Sequence, residues 1–459
     1  MKAKITLLIL LFVGLNFGFA QQDEECMTKL SIFHEYVKAK NYDAAFEPWM
    51  AVRNKCPKFS LAIYSDGEKI LEDKIEKATG KDKEDHINDL IKLWEERVEH
   101  FPNKTPKGEY ATRSCQLLYD NKDIMHKSTQ ELYDCFDAAY MLDKETCTNP
   151  KSLYTHFSLM VDLYDAQKKS SADLFNKYDD IVEKVEDEVK NYSLKLNKLI
   201  EKEEAGTALA SKEEKYKNYY ESYLKAYDQI SDGVDQKLGE RANCENLIPL
   251  YTKDFEENKL NSIWLKRAVS KMYYKECTDD PLYEKLVKAY DGADPSADTK
   301  YFVGTILLKN GKENEAINYF QESFDLEKDS FKKSKLANRI GLILKKKGRL
   351  GQARGYFRNA LNLNPSNGSP YLSIAAMYAA SANSCGDSTF NKRAVYWLAA
   401  DEARKAARVD PTLSKAAGQS IANYEAKAPS KADIFSAGNS GQTIKIGCWI
   451  GASVTVPSI

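Results

Sequence analysis

The sequence predicts an all-α protein: an α-solenoid of short helix pairs, with one long antiparallel helical hairpin and a short C-terminal β-hairpin. Three observations lead there. Small and aromatic residues recur at matched intervals around Ala316 and Ala353, a step of 37 residues. Between Leu174 and Val234 the apolar residues advance by threes and fours, which keeps them on one helical face. Only "QTIKIGCWIGASVTV", Gln442 to Val456, alternates with a period of two. With 459 residues the chain is too long for one ordinary core, so a repeat array or several domains are expected.

The first residues stand apart. Lys2 and Lys4 precede "ITLLILLFVGL", and Gly18-Phe19-Ala20 offers small residues at a cleavage site, so residues 1–20 read as a secretory signal peptide. The competing reading, a retained anchor, needs about 20 apolar residues, more than this run supplies. Cys26 follows "QQDEE" and lacks the apolar residues that a lipoprotein site carries upstream. The mature chain is therefore expected to be exported and soluble, in the periplasm or associated with the outer membrane.

Export makes the nine cysteines informative, because disulfides persist in oxidising compartments. Cys26 and Cys56, and Cys244 and Cys277, each bracket a helix-loop-helix pattern, so each pair is a candidate staple. Cys385 and Cys448 pair if the tail folds back. Cys115, Cys135 and Cys147 are left over, which leaves one thiol free or intermolecular; the alternative is that several are buried thiols. With no CxxC and only five histidines, no metal site and no cofactor are expected.

Around Ala353 stand Gly341, Phe357, Ala360 and Pro365, and around Ala316 stand Gly304, Gly311, Phe320 and Ser323, with Lys328 in place of the proline. Small residues let two antiparallel helices approach, the aromatic fills the groove to the next repeat, and proline ends the second helix. This resembles the tetratricopeptide repeat (TPR), whose usual period is about 34 residues. A third unit has Tyr371, Ala375 and Tyr378 on its first helix and Ala399, Ala403, Ala406 and Pro411 on its second, with Cys385-Gly386 in a longer loop.

The N-terminal part is TPR-like. Tyr36, Ala45, Trp49, Val52 and Pro57 keep the frame, Phe33 stands where a small residue is expected, and Trp94 and Pro102 echo it. "SLYTHFSLMVDLY" reads as another first helix, and residues 104–165 also fit an irregular helical domain. Two seams follow, Leu174 to Leu199 and Tyr216 to Val234, separated by "EAGTALAS", with Ser211 and Glu214 as a capping box. Two antiparallel helices of roughly 25 to 35 residues result. They form either a partner-gripping arm or a pair packed on the solenoid. In the tail, Ile444, Ile446, Cys448 and Ile450 share one side, a turn at Gly451-Ala452-Ser453 follows, and Val454 to Val456 return. This hairpin is expected to dock on the last helices or to offer an edge to a partner. The boundaries so read are 1–20, 21–165, 166–242, 243–428 and 429–459.

From Ser330 to Gly386 no Asp or Glu occurs, while Lys332, Lys333, Lys335, Arg339, Lys345, Lys346, Lys347, Arg349, Arg354 and Arg358 are basic, in a chain of formal net charge −1. Such segregation exceeds that of a mixed solvated face. Lys335 and Arg339 lie at i and i+4 on the helix that lines the inner groove of a TPR array. TPR domains that clamp a carboxylate grip an acidic peptide with this spacing, but here Tyr301 and Phe302 stand where clamps carry Lys and Asn. Three readings compete: an acidic protein or peptide partner, docking against the chain's own acidic helices, and an anionic polymer or lipid head group. Nucleic acid is not expected.

No phosphate loop, nucleophile elbow or HExxH is present, and Asp279-Asp280 before Pro281 reads as a turn and helix cap, so no catalysis is expected. The chain is also similar to exported bacterial TPR proteins of unassigned role, on "CTDDPLYEKL", "AVYWLAADEARKAARVDP" and the "GCWI" and "VTV" of the tail. That resemblance implies an envelope protein. The expected function is a scaffold for protein-protein interactions in assembly, secretion or transport, with Lys335, Arg339, Lys346, Tyr301, Phe302 and Tyr371 as contacts. The alternative is a glycan- or ligand-binding helical accessory of an outer-membrane system.

Overall fold

Helix starts are set by short polar side chains. Asn41, Ser128, Asn149, Asn243, Asn261, Asp280, Asp329 and Ser388 each accept a hydrogen bond from a backbone N–H two or three residues on. The first turn of a helix otherwise leaves such donors without partners. The structure, a computed structural model, describes residues 24–459. The expected signal peptide at 1–20 lies outside the described residues. The described chain falls into two units that divide between Lys177 and Tyr178.

The first unit contains α1 (24–38), α2 (Tyr42–Lys55), α3 (Ala62–Lys77), α4 (Gly80–His100), α5 (Lys107–Asp120), α6 (Thr129–Leu142), α7 (Pro150–Asp165) and the first turns of α8 (Ser171–Glu204). Its core gathers Phe33, Trp49, Tyr64, Leu71, Leu93 and Trp94. Close approach of α2 and α3 depends on Gly67, where an added Cβ would lie 2.5 Å from Trp49 Nε1. The indole donates to the Ile63 carbonyl at 2.7 Å. Arg53, buried beneath, stacks on Trp49 at 5.2 Å and donates to Asp89 and Glu96 of α4, each at 2.8 Å. A buried cation survives because both carboxylates meet it. Tyr36, expected in the repeat frame, is instead 40% exposed, and Phe33, one turn earlier on α1, takes the core position.

On α6, Asp137 accepts from Lys177 at 2.5 Å and lies 3.5 Å from His156 of α7. His156 above all, and Lys177 with it, hold the Asp137 carboxyl well below the usual carboxylate range. A depressed folded-state value contributes stability that is fully present above the unfolded value of about 4 and is lost progressively as pH falls from there through the folded value. Asp137→Asn is therefore expected to lower the melting temperature of this unit markedly at pH 7 and by clearly less at pH 2. Melting curves at both values check this, and an equal loss at both would sink the assignment.

The second unit continues α8 and adds α9 (Ser211–Leu238), α10 (Cys244–Asn258), α11 (Ser262–Tyr274), α12 (Pro281–Ala293), α13 (Ala297–Lys309), α14 (Glu313–Leu326), α15 (Ser330–Lys346), α16 (Leu350–Leu363), α17 (Ser369–Ala380), α18 (Ala382–Cys385), α19 (Thr389–Val409), α20 (Ser414–Lys427) and α21 (Lys431–Ala437). Strands β1 (Thr443–Ile446) and β2 (Ala452–Thr455) follow. The pairs α13–α14 and α15–α16 repeat one geometry. A Cβ at Gly304 would lie 2.6 Å from Phe320 Cε1, and a Cβ at Gly341 would lie 2.6 Å from Phe357 Cε1. Ser323 Oγ donates to the Ala297 carbonyl at 2.6 Å, and Ser334 Oγ to the Ala360 carbonyl at 2.7 Å. The third pair, α17 with α19, buries Ala375, Ala399, Ala403 and Ala406, and α18 lies in its connection.

Helices α8 and α9 have 34 and 28 residues and form the long hairpin. The second helix begins one residue earlier than Ser211 and Glu214 suggest: Ala210 is the N-cap, and its N–H donates to the Glu213 carboxylate at 2.8 Å. Glu213 is drawn to that place by Lys202 of α8, 2.6 Å away. The β-hairpin also differs from its expected form. Thr443 pairs with Thr455 and Ile446 with Ala452, so Gly447 to Gly451 is the turn, and Cys448 and Ile450 belong to it rather than to a strand. Cys448 has φ 46° and Gly451 φ 52°, left-handed values that end the extended chain. Cys448 is bonded to Cys385, Trp449 Nε1 donates to Ser381 Oγ at 3.0 Å, and Arg354 donates to the Ile450 carbonyl.

Four disulfides are present: Cys26–Cys56, Cys115–Cys135, Cys244–Cys277 and Cys385–Cys448. Cys115–Cys135 joins α5 to α6, a pairing the spacing left open. Cys147 is buried, with its Sγ directed at the Asp143 carbonyl at 3.2 Å. Among the described residues no helix is long and apolar enough to cross a membrane, and no cluster of three metal-ligating side chains occurs.

Candidate protein-binding groove

Helices α11 and α15 each carry two cations one turn apart, Arg267 and Lys271 on the first, Lys335 and Arg339 on the second. At i and i+4 both side chains leave the same face of a helix. In the second unit these faces look onto α8. Lys271 meets Asp179 at 2.8 Å, and Arg267 meets Asp180 at 3.0 Å and Glu183 at 2.8 Å. Lys335 pairs with Glu186, and Lys190 of α8 pairs with Asp329 at the start of α15. Farther along, Asn197 donates to Asn364 at 3.0 Å and accepts from the Ser366 N–H at 2.9 Å, and Arg408 of α19 reaches Glu204 at 3.7 Å. One acidic helix thus runs along the face formed by α11, α15, the α16–α17 connection and α19.

The electrostatics follow from burial and partners. Burial pushes the Lys271 ammonium down and the Asp179 carboxyl up, so this inner pair holds its charges less firmly than the outer ones. Burial also raises Glu186, but Lys335 and Arg339 outweigh it and keep its carboxyl below the usual range. Glu183 above all keeps Arg267 protonated. Arg339 is pushed down by burial, opposed by Glu186; its guanidinium stacks on Tyr274 at 5.2 Å and Tyr301 at 5.6 Å. Beside it is a cavity of about 400 Å³ lined by Tyr178, Glu183, Glu186, Arg267, Tyr274 and Arg339.

Of the residues expected at a contact surface, the structure brings Lys335, Arg339 and the buried Tyr301 and Phe302 to one place. Tyr301 and Phe302 are each 2% exposed; their rings pack on Tyr273, and the Tyr301 hydroxyl shares a hydrogen bond with Tyr273 at 2.9 Å. Phe302 lines the cavity, and Tyr301 lies under the Arg339 guanidinium. Tyr371 lies farther along, half-buried, with Arg358 and Lys405 beside its ring. Lys346 is exposed in the last turn of α15. The reading from sequence passed over Arg267 and Lys271, whose i, i+4 spacing repeats that of Lys335 and Arg339, and over the acids of α8 that face them. Asp280 caps α12 by accepting from Leu282 N–H at 2.8 Å.

The repeated geometry of α13 to α19 defines the class: this is a tetratricopeptide-repeat-type α-solenoid with a long helical hairpin and a short C-terminal β-hairpin. No family model matches the chain, and no curated protein matches it. Among solved structures it aligns with a tetratricopeptide repeat protein from Parabacteroides merdae at 11% identity and TM-score 0.24, over 69% of this chain and 97% of that one. It aligns with yeast Tom70 at 11% identity and TM-score 0.31, over 91% and 90% of the two chains. It also aligns with the human IFIT1 dimer with m7Gppp-AAAA at 13% identity and TM-score 0.32, over 78% and 74%.

Proposed function

We propose that the chain is an exported, non-catalytic scaffold of the bacterial envelope, whose groove in the second unit binds a protein or acidic peptide during assembly, secretion or transport. The observation that carries this reading is the row Arg267, Lys271 and Lys335, which already engages carboxylates of a helix, with Arg339 stacked beside it on Tyr274. The four disulfides support an oxidising compartment. A glycan- or ligand-binding role is the second reading; Tyr216 and Tyr219 of α9, 45% and 47% exposed, give it aromatic faces on which a sugar ring can stack.

The test is crosslinking in the envelope at low and high salt, with mass spectrometry of what is captured. The parent chain is expected to yield a defined set of acidic proteins that wash off with salt. Lys335→Glu with Arg339→Glu is expected to lose that set; the exposed Lys335 pair contributes only about 0 to 1 kcal/mol, and circular dichroism checks that the helices survive the loss of the Arg339 stack on Tyr274 and Tyr301. A variant that captures everything the parent does rules out the groove. Glycan recovered without protein favours the second reading.

A further inference from the structure

Helix α8 presents two unlike faces. Toward the array it presents Asp179, Asp180, Glu183, Glu186 and Lys190, each in an ion pair. Toward α9 it presents aromatic and apolar groups: the Tyr192 ring lies 5.0 Å from that of Tyr223, 5.9 Å from Tyr227 and 6.0 Å from Tyr220. The hairpin is also fastened to itself. Tyr178 donates to Asp235 at 2.5 Å at its base, and Lys217 meets Glu203 at 2.7 Å near its tip, beside the Lys202–Glu213 pair. Apolar contact with the array gathers at the tip, where Leu196 and Ile200 meet Val409 and Tyr371. Where α9 ends, Gly239 has φ 50° and ψ −135°, a conformation open essentially to glycine alone.

A hairpin whose aromatic seam is internal, and whose attachment is ionic along α11 and α15 with one apolar patch near its tip, keeps its own core when it leaves. The outer pairs at Arg267, Lys335 and Lys190 weaken with salt, the buried Lys271–Asp179 pair less so, and all can be replaced by other ion pairs of the same geometry. We propose that α8 is a displaceable internal ligand of the groove. The external partner is an acidic amphipathic helix with carboxylates spaced as Asp179, Asp180, Glu183 and Glu186 are, and it enters when the α8–α9 hairpin leaves the groove. This rests on the reading of the groove as a binding surface for an acidic protein segment, and it names the shape of that segment and what holds its place.

The experiment uses the full chain with Asp180→Lys, Glu183→Lys and Glu186→Lys, which repel α8 from the groove and leave the groove intact. Two quantities are read at low salt: hydrogen exchange, and capture of a fluorescent peptide of residues 178–204. Exchange across 178–238 is expected to rise at least tenfold while α13 to α16 keep their protection, and the peptide is expected to bind at least tenfold more tightly than to the parent. Adding Arg267→Glu and Lys335→Glu should abolish capture. Parental protection through 178–238, or an opened hairpin with no peptide bound, overturns the proposal.

If the variant does not fold, the parent decides, because the screening length shrinks from about 30 Å at 0.01 M salt to about 3 Å at 1 M. Exchange through 178–238 is expected to quicken as one block at high salt, and unchanged exchange overturns the proposal. Acidic partners captured in the envelope by a chain whose hairpin never opens would leave the scaffold reading standing and this one fallen. A hairpin that opens and takes the peptide in a chain that captures no envelope protein would do the reverse.

Discussion

Full reduction of the disulfides is expected to lower the melting temperature of both units more than any single core substitution. The bonds close separations of 30, 20, 33 and 63 residues, two in each unit. In the chain-entropy account, crosslinks of these lengths each remove on the order of 3 to 4 kcal/mol of unfolded-state freedom. That is comparable to half the stability of a typical domain, about 5 to 15 kcal/mol. Melting of oxidised protein against reduced and alkylated protein measures the sum. Cys385→Ser with Cys448→Ser isolates the last bond, and its loss is expected to raise protease cleavage within 440–459 before any helix melts, leaving Trp449, Arg354 and the buried Ile446, Ile450, Val454 and Val456 to hold the tail. Equal melting of oxidised and reduced protein would show that helix packing alone holds the units.

The second large effect is Phe357→Ala, expected to destabilise the second unit by roughly 3 to 5 kcal/mol. The ring is fully buried and fills the space that Gly341 leaves on the facing helix. Deleting it loses both burial and contact, since backbones already this close have little room to collapse further. Gly341→Ala approaches the same joint from the other side: its methyl would lie 2.6 Å from the ring and costs about 1 to 3 kcal/mol by overpacking. Combined with Phe357→Leu, which shrinks the partner, that cost is expected to fall, so the double variant should be more stable than the two losses added. Additive losses in denaturant titrations would mean that the two positions do not share the joint.

Most of the architecture was legible because helix pairing is written locally. Gly304 with Phe320 and Gly341 with Phe357 stand at one fixed spacing, and the seams of α8 and α9 keep their three-and-four steps, the first with one four-residue stutter. The errors fell where geometry depends on something distant. Glu213 rather than Glu214 closes the start of α9 because Lys202 of the preceding helix pulls it there. Alternation carried the tail's first strand past its end, because a left-handed Cys448 leaves no mark in a pattern of apolar residues.

The groove was half legible. Its basic residues on α15 stood out by the absence of acids around them. That Tyr301 and Phe302 are buried was not readable, since an aromatic pair has the same spacing whether it is exposed or packed. Nor did the sequence choose between an outside partner and the chain's own acids for Lys335. Glu186 lies 149 positions away. A carboxylate on a charged helix has no local feature that separates a solvated face from a docked one.

The two serine joints carry a different lesson. In α13–α14 the hydroxyl sits on the second helix, at Ser323, and is received by the first; in α15–α16 it sits on the first, at Ser334, and is received by the second. Superposed repeat on repeat, Ser323 falls on Ala360 and Ala297 on Ser334, so neither column holds a fixed letter while the pair is complete in both. The repeat is inherited here as a relation between two positions, written from either end. A residue-by-residue profile averages that relation away, whereas a comparison scored on facing pairs would keep it.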